Sequence, residues 1–70
     1  MNKSELLPND ILKFQNGKQI ILSKNNFWVI KQFYDNDLDC PDNPEYNIIA
    51  VFRPYYDLVY SKINEQNMKR

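Results

Sequence analysis

Arg53-Pro54-Tyr55-Tyr56 is the most concentrated run of binding-site residue types in this 70-residue chain. Trp28, Lys31, Tyr34 and Tyr60 are candidates to join it. Tyr, Trp and Arg bury large areas at low entropy cost and keep a polar handle, so they dominate interface hot spots. Two chemistries follow. The group can dock on a protein surface, or it can stack a base while Arg53 and Lys31 hold phosphate. The plainer reading is that Trp28 and Tyr55 fill a small core, with Tyr56 and Tyr60 off the apolar stripe.

A second cluster is acidic: Asp35, Asp37, Asp39, Asp42 and Glu45. Alternating Asp resembles the start of a calcium loop, because hard cations take several carboxylates. The match fails where Cys40 stands at the position needing Gly and Tyr46 at the position needing Glu. A solvated loop is the simpler expectation. The five carboxylates can alternatively imitate nucleic-acid phosphates or meet a basic patch on a partner.

Catalysis finds little support. Histidine is absent, and there is no Ser-centred elbow and no Gly-rich phosphate loop. The single cysteine, Cys40, lies in the acidic loop, a poor setting for a nucleophilic thiolate. A non-enzyme is expected, with no cofactor and no metal.

Composition narrows the partners. Formal net charge is +0, so no global basic field draws long nucleic acid or an anionic membrane. No apolar run approaches the length of a membrane span. The N-terminus lacks the apolar stretch of a signal peptide, and one cysteine forms no internal disulfide. The expected setting is the cytoplasm. Abundant Asn, Ile, Lys and Tyr, with no threonine, fit an AT-rich genome such as that of a low-GC bacterium or its phage.

The elements that would carry these residues read mainly as strands. The only glycine, Gly17, follows Asn16 between two short apolar runs. Asn-Gly there predicts a β-hairpin over residues 10–15 and 18–23 with a two-residue type I′ turn. That turn pairs Phe14 with Gln19, Leu12 with Ile21 and Ile11 with Leu22. Residues 27–34, Phe-Trp-Val-Ile-Lys-Gln-Phe-Tyr, read as the longest strand from their aromatic and β-branched content. Residues 35–46 read as the acidic loop and 47–53 as the fourth strand. Pro54 ends that strand, and Tyr55, Leu58, Val59 and Ile63 make the stripe of a helix over 54–65. A further single turn, capped by Ser4, is expected at residues 4–8.

Both faces of the predicted strands are apolar, where a half-solvated antiparallel sheet shows polar residues on one. The expected fold is therefore one mainly β domain over 1–70. It is a four-stranded antiparallel meander, curled as a small SH3-like partial barrel, with a short C-terminal helix. Its surplus apolar area implies an interface or a homo-oligomer.

Asn9-Asp10-Ile11-Leu12, the Asn16-Gly17 turn and Asn47-Ile48-Ile49-Ala50-Val51-Phe52-Arg53-Pro54 together resemble a group of short phage and prophage proteins. Those open with a "GDIVTLRNG"-type hairpin and carry an "IVKVYRP"-type strand. The resemblance covers about residues 8–60. The chain departs from it in having Asn9 where the family often has Gly, and in lacking a closing aromatic-rich strand. The resemblance implies a phage setting and a small β fold, and no activity. The functional expectation is a binding protein that occupies a host bacterial protein or a defence component. The alternatives are an oligomeric sponge for a small signalling nucleotide and a single-stranded nucleic-acid module.

Overall fold

The single glycine closes a hairpin, but with three loop residues instead of two. A computed structural model describes residues 1–55 and 57–62. In it β1 (Ile11–Phe14) pairs antiparallel with β2 (Gln19–Ile21). The Gly17 amide donates to the Phe14 carbonyl and the Phe14 amide to the Lys18 carbonyl, each at 2.9 Å. Gly17 is left-handed at φ 89°, whereas Asn16 does not take positive φ. This is a type I turn followed by a bulge glycine, not the type I′ turn that needs positive φ twice. Asn16 uses its side chain instead, accepting from the Lys18 amide at 2.9 Å.

The consequence is a register one residue from that expected: Ile11 faces Ile21, Leu12 faces Ile20 and Lys13 faces Gln19. A one-residue slip moves side chains to the opposite face. Ile20 therefore joins Leu12 on the core side and Ile21 joins Ile11 on the other. Nothing lies within 4 Å of where a Cβ on Gly17 would sit, so backbone strain alone opposes substitution. Gly17→Ala should cost about 1 kcal/mol, read as a lower denaturation midpoint at unchanged slope.

The expected class forms: among the described residues, a four-stranded antiparallel sheet with one helix. One strand and the helix exchange places. Residues 27–34 do not make a strand; Phe27–Phe33 is the helix α1. Phe27, Ile30 and Tyr34 fall at i, i+3 and i+7 and pack on the core, while Trp28, Lys31 and Gln32 are exposed. Tertiary burial of that stripe overrides the β propensity of the segment. Asn26 sets the approach by accepting from the Ser23 amide at 2.7 Å and donating to the Ile21 carbonyl at 3.3 Å.

The helix expected over 54–65 is likewise overturned. Asp57–Ser61 is the strand β4, paired with β3 (Ile48–Arg53). Tyr55 sits at φ 73°, a left-handed geometry that no right-handed helix contains. The reversal there sends the chain back along β3. Positions 56 and 63–65 of the expected helix lie outside the described residues.

Strand order is β2-β1-β3-β4. The arrangement is two hairpins side by side, not a meander, and among the described residues β2 and β4 are its edges. The core lies on one face of the sheet beneath α1, where Leu12, Leu22, Leu38, Ile48 and Val51 are fully buried. Loop 35–46 is anchored, not merely solvated. Leu38 plugs the core, and its carbonyl accepts from the Ile48 amide at 2.9 Å. The loop ends in a 3-10 turn at Pro44–Tyr46.

The N-terminal turn is a 3-10 turn at Lys3–Glu5 capped by Asn2, two residues before the cap expected at Ser4. Asn9 takes φ 76°. Asn, like Gly, tolerates that left-handed region.

Candidate functional site

The structure does not assemble the predicted aromatic and arginine set. Arg53 donates from Nε to Asp10 Oδ1 at 3.1 Å and from Nη2 to the Glu5 carbonyl at 3.0 Å. Asp10 is fully buried, and its Oδ2 also accepts from the Leu7 amide at 2.8 Å. Arg53 thus ties the N-terminal segment to β3 and is not a free phosphate ligand. Tyr55 is 95% exposed at the β3–β4 turn, and Trp28 is 58% exposed on α1. The core role expected for those two is therefore reversed. Tyr56 lies outside the described residues, and Tyr60 packs half-buried against the core.

Lys31 is exposed beside a cleft of about 240 Å³ that also takes in Lys3 and Phe27. The Lys3 ammonium donates to the Lys31 and Tyr34 carbonyls at 3.1 and 2.7 Å. It thereby satisfies carbonyls at the helix end that lack an internal partner.

Tyr34 is the member that reaches a second, larger cleft of about 420 Å³. Three elements build it. The hairpin supplies Phe14 and Ile20, α1 supplies Val29 and Phe33, and the loop supplies Cys40, Asp42, Asn43 and Tyr46. Phe14 and Tyr46 meet edge to face, centroids 5.4 Å apart. The Tyr34 hydroxyl donates to the Tyr46 carbonyl at 2.6 Å, fixing helix to loop. The Asn47 side chain accepts from the Cys40 amide at 2.7 Å and holds the loop's other end. The walls are apolar and aromatic, with Asp42 and Asn43 as polar groups. Such a site takes an apolar or aromatic group carrying a cation or hydrogen-bond donor.

Burial first, then the neighbouring Cys40 and Tyr46, pushes the Tyr34 hydroxyl up to about 12 from 10.0. A folded-state pKa above the unfolded one gives stability that is complete below pH 10 and lost as pH rises through about 12. Tyr34→Phe should lower stability by about 1 kcal/mol at neutral pH through the lost hydrogen bond. The gap between the two proteins should then close above pH 10 and reverse before pH 12. Denaturation midpoints measured across that range check both parts.

The acidic cluster divides. Asp35 Oδ1 accepts from the Asp37 and Asp39 amides at 2.9 and 3.0 Å, so the alternating spacing serves a local turn. Asp39 pairs with Lys62. Burial works to lower the Lys62 pKa, but the Asp39 hydrogen bond, Tyr60 and the Asp39 and Asp35 charges outweigh it and raise it. Asp42 faces the cleft. Among the described residues, no three of the acidic and cysteine side chains gather as a metal site.

Sequence reasoning missed Phe14, Ile20, Val29, Phe33, Cys40, Asn43 and Tyr46 as site residues. The available signal was the i, i+4 pair Val29 and Phe33, a second helical stripe beside the buried one. Compared with protein-family models, with curated proteins and with solved structures, the chain matches none. No helix of the described residues is long and apolar enough to cross a membrane.

Proposed function

We propose that this is a non-catalytic binding protein whose larger cleft receives an apolar side chain of a partner protein, next to a basic residue that meets Asp42. The carrying observation is a cleft of about 420 Å³ walled by Phe14, Ile20, Val29, Phe33 and Tyr46, with a carboxylate at Asp42. In the phage setting implied by the sequence resemblance, the partner is a host protein that is inhibited by being occupied. The acidic loop then steers approach to a basic surface. Nothing comparable favours the nucleotide or single-stranded nucleic-acid readings. Arg53 is committed to Asp10, and the Lys3 ammonium in the cleft beside Lys31 is committed to the Lys31 and Tyr34 carbonyls.

A small aromatic cation tests the site without knowledge of the partner. Phenylpropylammonium should bind saturably with a Kd on the order of millimolar. It should bind about three- to tenfold more tightly than neutral phenylpropanol. Asp42→Asn should erase that difference and leave phenylpropanol unchanged. Equal affinity of the two compounds for the parent protein, or no saturable binding, rejects the assignment.

A further inference from the structure

The exposed edge of β2 adjoins the cleft, and its backbone is arranged to receive another strand. The Phe14 amide binds the Lys18 carbonyl, the Leu22 amide binds the Asp10 carbonyl, and Leu12 lies opposite Ile20. Backbone groups alternate sides along an antiparallel strand. Lys18, Ile20 and Leu22 therefore point towards β1, while Gln19 and Ile21 point away from it. The Ile21 carbonyl takes the Asn26 side chain. The Gln19 amide, the Gln19 carbonyl and the Ile21 amide face outward. Among the described residues no strand lies beyond β2.

We propose that this edge adds an extended segment of the partner as a fifth, antiparallel strand. The proposal rests on the cleft being the docking site and specifies how the partner reaches it. A residue placed opposite Ile20 would share its face of the sheet, and Ile20 is a wall of the cleft. That residue's side chain enters the cleft. Its two neighbours point to the other face, beside Ile21, which is 62% exposed. There Ile21, Ile11, Phe52 and Leu58 form one cross-strand row. Backbone pairing supplies affinity and alternate side chains supply specificity, the logic of strand addition.

Charge sets the occupant. The Glu45 carbonyl accepts from the Asn16 amide and the Asn47 carbonyl from the Gln15 amide. The acidic end of the loop is thereby seated beside the Gly17 end of β2. Among the described residues neither Asp42 nor Glu45 pairs with a lysine or arginine. An antiparallel segment brings its C-terminal half to that end. A Lys or Arg two residues after the apolar anchor falls on the cleft face opposite Lys18, at the end of β2 where Asp42 and Glu45 supply the charge that offsets that lysine. A second copy fits less well: with two β2 strands centred on Ile20, the residue arriving opposite Lys18 is the buried Leu22. The occupant is therefore a partner segment alternating β-branched and aromatic residues, with one basic residue after the anchor.

The probe is acetyl-Thr-Thr-Val-Phe-Val-Lys-Thr-amide, titrated into the isotope-labelled protein. At saturation the Gln19 and Ile21 amides should exchange with solvent at least tenfold more slowly. Gln19→Pro removes an outward-facing donor from an edge strand and leaves the ladder to β1 intact. It should weaken the peptide at least tenfold while phenylpropylammonium binds as before. Cleft shifts without slower exchange at Gln19 and Ile21 overturn strand addition and leave the cleft assignment standing. Loss of both probes overturns both. No binding of the peptide, with the aromatic cation still bound, overturns the strand alone. A dimer in sedimentation that Gln19→Pro dissolves assigns the edge to a second copy and also overturns the proposal.

Discussion

Arg53→Met should leave a largely unfolded protein. Asp10 is fully buried, and its carboxylate is balanced by the Arg53 guanidinium at 3.1 Å. Removing one partner of a buried pair costs about 3–5 kcal/mol, because the remaining charge is left without compensation. Arg53 is partly exposed, which places the effect at the lower end of that range. A core of this size supplies only about 3–5 kcal/mol in total, so even the lower figure matches the whole stability. The change also frees the Glu5 carbonyl and with it the N-terminal segment that Arg53 holds. Circular dichroism should show lost secondary structure in Arg53→Met and its partial return in Asp10→Asn/Arg53→Met, which removes the orphaned charge. Native-like folding of the single variant would mean that the ion pair carries little.

The second large effect concerns binding. Phe33 is 42% exposed and forms one wall of the cleft. Phe33→Lys sits in the last turn of α1, where a cation suits the helix dipole. The fold should therefore survive, with the contact to Trp28, centroids 6.3 Å apart, as the main loss. A lysine there removes an apolar wall and sets an ammonium against an incoming cation. Phenylpropylammonium affinity should fall at least tenfold. Unchanged affinity in a folded Phe33→Lys protein would place the compound elsewhere.

Gly17 announced its hairpin because one residue type answers a demand for left-handed backbone. The register was less legible, since Asn-Gly serves both a type I′ turn and a type I turn with a bulge glycine. Only the backbone of Asn16 decides between them. Residues 27–34 satisfy two periods at once: Phe27, Val29 and Phe33 alternate, while Phe27, Ile30 and Tyr34 follow a helix. Short apolar segments of this kind are not resolved by pattern alone. Burial under the sheet decides for the helix, and Tyr55 at φ 73° decides against the other.

The site was harder to read than the fold. Arg53 looked like a hot spot because its partner, Asp10, is 43 positions away and carries no local mark of burial. The cleft needs a hairpin, a helix and a loop to meet, and none of them contains it alone. The apolar surplus noticed in the strands did have a counterpart. Ile21 and Leu58 remain 62% and 44% exposed on the face away from the core.

The most direct test is a nuclear Overhauser spectrum of the protein saturated with phenylpropylammonium. The phenyl ring should show contacts to the Ile20 and Val29 methyl groups and to the Phe33 ring. Contacts confined to Trp28, Tyr55 or Leu58, with none at the cleft walls, would contradict a binding site there.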